Sequence, residues 1–436
     1  MTDSPRKTDV RSLLILAAMF FIFGFVSWVN SILIPYFRIA CELTHFQSYF
    51  VTFAFYIAYF VMAIPAGKLL QKAGFKKGIM VGFLFMALGM YLFVPAALLR
   101  TFPLFLTGLF LIGTGLAILQ TAANPYVTII GPLESAARRI SIVGICNKLA
   151  GILAPLVFAA VILKASDSGT FALIESGALE GEAKARVLDE LIRRVIWPYT
   201  ILGTGLLAFG IWIRYSFLPE IDPEQENAVP EGSSDRKSVF SYPYLVLGAL
   251  AIFFHVGSQV IAIDTLIQYA GTMGIDMLEA KVFPSYTLTC TMLGYLAGIL
   301  LIPRFLSQKN ALIGCTVLGM ALSLGAVLTD VPVRFLGHEV NASLLFLNAL
   351  GFPNALIYAG IWPLAIRNLG RHTKMGSSLL IMGLCGNAVM PQLYGFIADH
   401  ASLRAGYWIL IPCFAYLIWY AVHGHRIENW ISWKRQ

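Results

Sequence analysis

Charge is what this chain has least of: 12% of its 436 residues are Asp, Glu, Lys or Arg, against about 25% in soluble domains. That scarcity excludes a water-soluble globular protein, and with 58% hydrophobic residues the chain belongs in a lipid bilayer. Metal-type spacing is missing as well. The six cysteines (41, 146, 290, 315, 385 and 413) stand at no ligand spacing, most within apolar runs, and read as small packing residues with reduced thiols. There is no His-Glu-x-x-His string, no Gly-x-Ser-x-Gly elbow and no paired acid site within an apolar run. The sequence therefore argues against an intramembrane enzyme and calls for no metal or cofactor. A cleavable leader is not in evidence: the first apolar run is too long and lacks a small-residue cleavage site, so it is expected to persist as a span. No soluble signalling domain supports a receptor or a scaffold.

What is there is repetition of helix-length apolar runs. Twelve can be marked, at roughly 13–37, 48–70, 78–98, 103–126, 140–163, 197–218, 242–270, 281–303, 310–329, 341–366, 375–399 and 405–423. Outer-membrane strands alternate in much shorter segments, so the expected class is an all-α integral membrane protein of 12 transmembrane helices. The net charge of +8 invites a nucleic-acid reading, but the positions of the charges oppose it. With both termini cytoplasmic, 20 of the 31 basic residues fall in inner segments, as orientation by positive charge requires. The expected placement is multi-pass in the cell inner (cytoplasmic) membrane, with no nucleic-acid partner.

Residues 219–240 are polar, contain proline and lack long apolar runs, so they read as a cytoplasmic linker. This divides the chain into 1–218, a first six-helix half, and 241–436, a second. The halves echo each other. Gly144-Ile145-Cys146-Asn147 corresponds to Gly383-Leu384-Cys385-Gly386, Pro125 to Pro363, and Gly67-Lys68-Leu69-Leu70 to Gly298-Ile299-Leu300-Leu301, in the same order at nearly constant spacing. Two parallel six-helix halves are the architecture of the major facilitator fold, with substrate bound between the halves near the midplane. Outside the spans, 164–196 carries a short amphipathic pattern (Val187, Leu188, Leu191, Ile192, Val195) that suits a solvated helix capping the bundle.

Within the fourth and fifth spans, Gln120, Asn124, Asn147 and Lys148 sit among Leu, Ile, Gly and Ala. A lysine near the bilayer centre costs about 2.5–3.5 kcal/mol on insertion scales, so it must face protein, water or a ligand. Three strings make the chain familiar: Phe25-Val26-Ser27-Trp28-Val29-Asn30-Ser31, Thr121-Ala122-Ala123-Asn124-Pro125-Tyr126, and Asn368-Leu369-Gly370 with Lys374-Met375-Gly376-Ser377-Ser378. They resemble the fucose–galactose–glucose:proton symporter family of the major facilitator superfamily, over nearly the whole chain. The run from Glu134 through Lys148 looks more like the N-acetylglucosamine and glucose permease subgroup. The resemblance implies a secondary transporter importing a neutral hexose or N-acetylhexosamine by alternating access, functioning as a monomer and coupled to protons. It also exposes departures. The family's acids in helices 1 and 4 align with Ser31 and Gln120, both neutral, so proton coupling at those positions does not carry over. Uniport and sodium coupling stay open, and a drug exporter of the same fold is disfavoured by the absence of a clear helix-5 antiporter motif.

Sugars present many hydroxyls and little charge, which suits side-chain amides and aromatic faces. The candidates for substrate are Asn30, Gln120, Asn124, Asn147, Gln259, Asn354, Trp362 and Asn387. Asn124, beside Pro125, can equally satisfy carbonyls that the proline frees. The candidates for coupling or charge are Lys148, Asp264 and His255. Three roles compete for Lys148: a fixed cation in place of a coupling ion, a proton carrier, or a lysine snorkelling to the inner interface. A direct Lys148–Asp264 pair is unfavourable, since Asp264 lies about 140° around its helix from Gln259. Asp264, with Gln268 on its face, is either a proton site at the outer entrance or a solvated residue near the surface.

Overall fold

Apolar runs in a bilayer must satisfy their own backbone groups, and the helix is the way a single segment does so. The computed structural model describes residues 10–129, 136–164, 166–175, 178–216, 238–302, 305–335, 337–367, 369 and 373–430. Twelve helices among them are long and apolar enough to cross a membrane. In chain order, spans 1 to 6 are Val10–Ala40, Phe50–Leu70, Lys76–Leu98, Phe102–Ala123, Ile142–Ile162 and Gly181–Tyr215. Spans 7 to 12 are Pro243–Gly271, Met277–Leu301, Gln308–Leu328, Ala342–Ile366, Ser378–His400 and Leu403–Arg426. Most of the linker expected at 219–240 lies outside the described residues; Val239–Ser241 forms a short 3-10 turn leading into span 7. Successive spans alternate in direction. The end of the bundle holding Val10 and Arg426 is called the near end below, and the end holding residues 41–49 the far end.

Glycine sets how closely the helices cross. A Cβ on Gly24 of span 1 would lie 2.0 Å from the Asn147 carbonyl oxygen of span 5, and one on Gly113 of span 4 would lie 1.9 Å from the Phe55 carbonyl of span 2. The second half repeats both crossings. A Cβ on Gly257 of span 7 would lie 2.9 Å from the Gly386 carbonyl oxygen of span 11, and one on Gly351 would lie 1.9 Å from the Thr287 carbonyl oxygen of span 8. Small residues that let backbones approach are the usual helix–helix contact in lipid. Here the same pairs of spans use them in both halves, with Asn147 and Gly386 in the paired positions that the sequence repeat matches.

The halves meet through spans 2 and 11 and through spans 5 and 8. The Ser285 hydroxyl of span 8 donates to the Ile152 carbonyl of span 5 at 2.7 Å, and the Gly151 backbone sits against Trp28 and Leu288. Several spans are interrupted within their length, among them three that carry polar residues described below. Span 1 breaks after Trp28, span 7 after Asp264, and span 11 passes through a 3-10 turn at Gly383–Cys385. Broken helices at membrane depth are tolerated where they line a cavity or are buried in protein.

The far end carries the extramembrane structure. Gly181–Arg193, the stretch of span 6 that precedes its apolar helix Ile196–Tyr215, is amphipathic as expected, burying Leu188, Leu191 and Ile192, and the Tyr36 hydroxyl donates to the Leu191 carbonyl. Arg194 pairs with the buried Asp167 at 2.5 Å, while Arg100 and Lys184 both reach Glu42. A two-stranded antiparallel hairpin, Pro332–Phe335 with His338–Asn341, joins spans 9 and 10. Hydropathy does not mark this hairpin in the sequence, because strands this short carry no apolar signal. All six cysteines are free.

Gly24→Val should force spans 1 and 5 apart at a cost of about 1–3 kcal/mol. A lower unfolding temperature in detergent is the expected result, with Gly205→Ala, where no atom lies within 4 Å, unchanged.

Candidate functional site

Two groups of the expected residues come together between the halves. The first is a layer of aromatic rings and an amide. Gln120 of span 4 donates its amide to the Tyr59 hydroxyl of span 2 at 2.9 Å, and Tyr59 stacks on Tyr56 at 6.0 Å. Across the interface, Tyr358 of span 10 lies within electrostatic reach of Tyr59 and of Tyr295 from span 8. Tyr358 and Trp362 tilt against each other at 5.7 Å. Gln120, Tyr358 and Trp362 each keep part of their surface open. Spans 2, 4, 8 and 10 thus deliver one amide and a set of ring faces and phenol hydroxyls to a common region. Tyr56, Tyr59 and Tyr295 were not singled out in the sequence, where aromatic residues in apolar helices look like core.

The second group surrounds Lys148. Its ammonium sits 4.7 Å from the centroid of the Trp28 ring, and the residue is 8% exposed. A cation over an indole face in a desolvated setting is stabilised by about 2 kcal/mol. Lys148 does not snorkel away, because Trp28 of span 1 holds it inside the bundle. His255 of span 7 is buried with Nδ1 unbonded and feels the Lys148 charge across the two halves. Gln259 lies one turn further along span 7, half-buried.

The other candidates divide differently. Asn147 donates to the Phe20 carbonyl at 3.0 Å, so one side of its amide ties span 5 to span 1 rather than facing a ligand. Asn30 is 1% exposed and lines a small cavity inside the first half, walled by Val26, Phe55, Met90, Ile112 and Tyr199. It turns away from the interface between the halves. Asn354 is also 1% exposed, and neither of its amide atoms is hydrogen-bonded among the described residues. Asn387 is half-buried with its carbonyl oxygen unbonded. The side chains of Asn124 and Ser31 lie outside the described residues. Asp264 is fully buried, which rules out the solvated alternative, and neither of its carboxyl oxygens has a hydrogen-bond partner among the described residues, Lys148 included. No cluster of His, Cys, Asp or Glu suited to a metal occurs among the described residues.

At the far end a lid joins the halves, one that sequence reasoning missed. Residues 45–48 form a single helical turn between spans 1 and 2. The Asp399 carboxylate at the end of span 11 accepts from the backbone amides of His45 at 3.0 Å and Phe46 at 2.8 Å. The His45 ring bonds the Gln268 side-chain oxygen of span 7 at 2.7 Å. Beneath this, Tyr49 meets Tyr394 edge-on at 5.6 Å. Burial holds the His45 imidazole below its usual range, with Gln268 partly opposing. The far end is therefore closed.

Charge-assisted hydrogen bonds from Asp399 contribute about 1–2 kcal/mol to that closure. Asp399→Ala should raise the alkylation rate of a cysteine placed at the fully buried Ser48 by roughly 5–30-fold. An unchanged rate would remove Asp399 from the lid.

Comparison with known proteins places this geometry. The model of the Major Facilitator Superfamily matches residues 16–387. The chain is 32% identical over 437 residues to a glucose/galactose transporter of Brucella abortus biovar 1 (strain 9-941), covering 98% of both. It is 31% identical over 412 residues to an L-fucose-proton symporter of Escherichia coli K12, covering 93% of this chain and 91% of that one. Among solved structures, the transporter FucP in its outward conformation superposes with a TM-score of 0.70 at 29% identity, covering 95% of this chain and 99% of that one. A D-xylose-proton symporter shares the fold, with a TM-score of 0.64 at 15% identity over 96% of this chain and 98% of that one. The chain belongs to the Major Facilitator Superfamily, within its fucose–galactose–glucose:proton symporter family.

Proposed function

We propose that this protein imports a neutral hexose-class sugar across the cytoplasmic membrane by alternating access, coupled to protons. The observation that carries the reading is the cross-half layer of Gln120, Tyr59, Tyr358 and Trp362. Amide and phenol groups both donate and accept toward sugar hydroxyls, while ring faces cover the C–H surface of a pyranose. Because the layer draws on both halves, a bound sugar bridges them and favours their concerted movement. The relatives named as transporters of glucose, galactose and fucose support this substrate class.

The positive-charge asymmetry supports a cytoplasmic near end, and with it an inner-membrane protein with both termini inside. In that orientation the closed lid faces outward. Lys148 serves as a fixed cation. Held over Trp28 beside His255, it supplies a donor-only group in the fifth span, where sugar hydroxyls and nearby amides can accept. Gln259 and Asn387 extend the polar surface on the second half. The transporter works as a monomer, since both faces of the site come from one chain.

Purified protein in proteoliposomes tests this directly. Glucose, galactose, fucose and N-acetylglucosamine are each offered under an inward proton gradient, an inward sodium gradient, and neither. Accumulation of at least one sugar above equilibrium under the proton gradient alone is expected; equal rates in all three conditions without accumulation would establish uniport. Lys148→Ala should reduce uptake by roughly 10–100-fold with insertion intact, the size of a lost charged hydrogen bond. Normal uptake by a correctly inserted variant would confine Lys148 to packing on Trp28.

A further inference from the structure

Asp264 is used by nothing described so far. It ends the first helical stretch of span 7, is 0% exposed, and neither carboxyl oxygen has a hydrogen-bond partner among the described residues. Its surroundings come from span 2. The Thr52 hydroxyl is near enough to act on the carboxyl, yet neither completes a hydrogen bond. Tyr49 and Tyr56 lie within electrostatic reach of it from one turn on either side. Asp264 thus sits on the seam between the halves, directly below the lid.

The titratable groups around the seam are mostly phenols. Spans 11 and 12 contribute Tyr394 and Tyr407, the latter bonded to Thr265, and span 7 itself adds Tyr269, bonded to Ser343. The charged groups belong to the lid above. Asp399 is engaged by backbone amides, His45 by Gln268, and Arg38 of span 1 acts on Tyr49 and His45. His255 and Lys148 lie toward the near end, His255 nine residues or about 13 Å along span 7. A carboxylate taken from water into such a setting without a countercharge or hydrogen bonds costs several kcal/mol, and the group protonates instead.

We propose that Asp264 is the proton-binding group of the far-end gate, neutral under the closed lid and ionised when the halves part there. This rests on the alternating-access reading above and names the residue on which the gate's proton resides. Closing the gate takes up one proton, so acid favours the closed state and alkali the open one, by at most tenfold per pH unit. His45 works in the opposite sense, because closure holds its imidazole neutral and acid therefore opens the lid. The two effects separate once His45 is replaced by a residue that does not titrate.

The test measures gate distance against pH in the full chain. Spin labels are placed through Gln47→Cys and Ala401→Cys, both exposed, with the native cysteines replaced by alanine and His45→Gln added. Distances are recorded from about pH 5 to about pH 9, which spans ordinary carboxyl and perturbed ranges. In this parent the closed fraction should rise as pH falls, with the slope of one proton. D264N should stay closed throughout, and D264E should keep the response with its midpoint displaced. A parent whose gate ignores pH overturns the proposal whatever the variants do. So does D264N titrating like the parent, or a D264E midpoint that does not move. These distances need no sugar. Counterflow of the four sugars in the same liposomes therefore decides the transport reading separately: a pH-silent gate with intact counterflow removes Asp264 alone.

Discussion

Inside a bilayer a polar side chain must find a partner in the protein or face water, because lipid offers none. Most of the polar groups in these spans can be sorted by how they meet that demand. Lys148 meets it with the Trp28 ring, Gln120 with the Tyr59 hydroxyl, and Asn147 with the Phe20 carbonyl. Asn30, Asn354 and Asp264 find no such partner among the described residues. The amides can remain neutral and buried at moderate cost. A carboxyl cannot stay ionised there, and this difference separates an inert packing asparagine from a group whose charge depends on the position of the gate.

The glycine crossings give the same constraint a mechanical form. Backbones that touch at Gly24 and Asn147, and again at Gly257 and Gly386, leave no room for relative sliding within a half. Movement is then concentrated where the contacts are side-chain and polar: the Asp399 cap on residues 45 and 46, the His45–Gln268 bond, and the Tyr49–Tyr394 ring contact. Two rigid halves joined by contacts of this kind are what a rocking motion requires. The lid closes over Asp264 only because Gly395 lets the Tyr49 ring and the backbone of Phe46 come close to span 11.

The spans were legible in the sequence because membrane insertion reads local hydropathy, and the repeat was legible because both halves reuse the same crossings. Lys148 and Gln120 could be found as polar residues in apolar runs. What each faces could not. Helical periodicity shows which residues share a face but not which neighbour that face meets, so Asn30 was grouped with the substrate side although it points into the first half. Asn147 was grouped there as well, although the Phe20 carbonyl of span 1 accepts its amide. The Tyr59 partner of Gln120 was hidden among ordinary core aromatics. The lid joins residues 354 and 223 positions apart, a pairing that no local pattern encodes.

The departures from the family pattern take on a single meaning in this geometry. Gln120, which the sequence resemblance aligns with a family acid, is bonded here to Tyr59 in the neutral layer that we propose faces sugar. A carboxyl in that position would place a titrating charge beside the substrate and make affinity depend on its ionisation. Asp264 lies elsewhere, on span 7 against span 2, and no sugar-facing group named above touches it. A proton bound there acts on the gate rather than on the ligand. Sugar and proton would then be linked only through the shared equilibrium between closed and open far ends, each favouring closure by its own binding free energy. Linkage of that kind lets pH bias the gate without contact between the two ligands, and it permits the amide and aromatic layer to remain uncharged at every step.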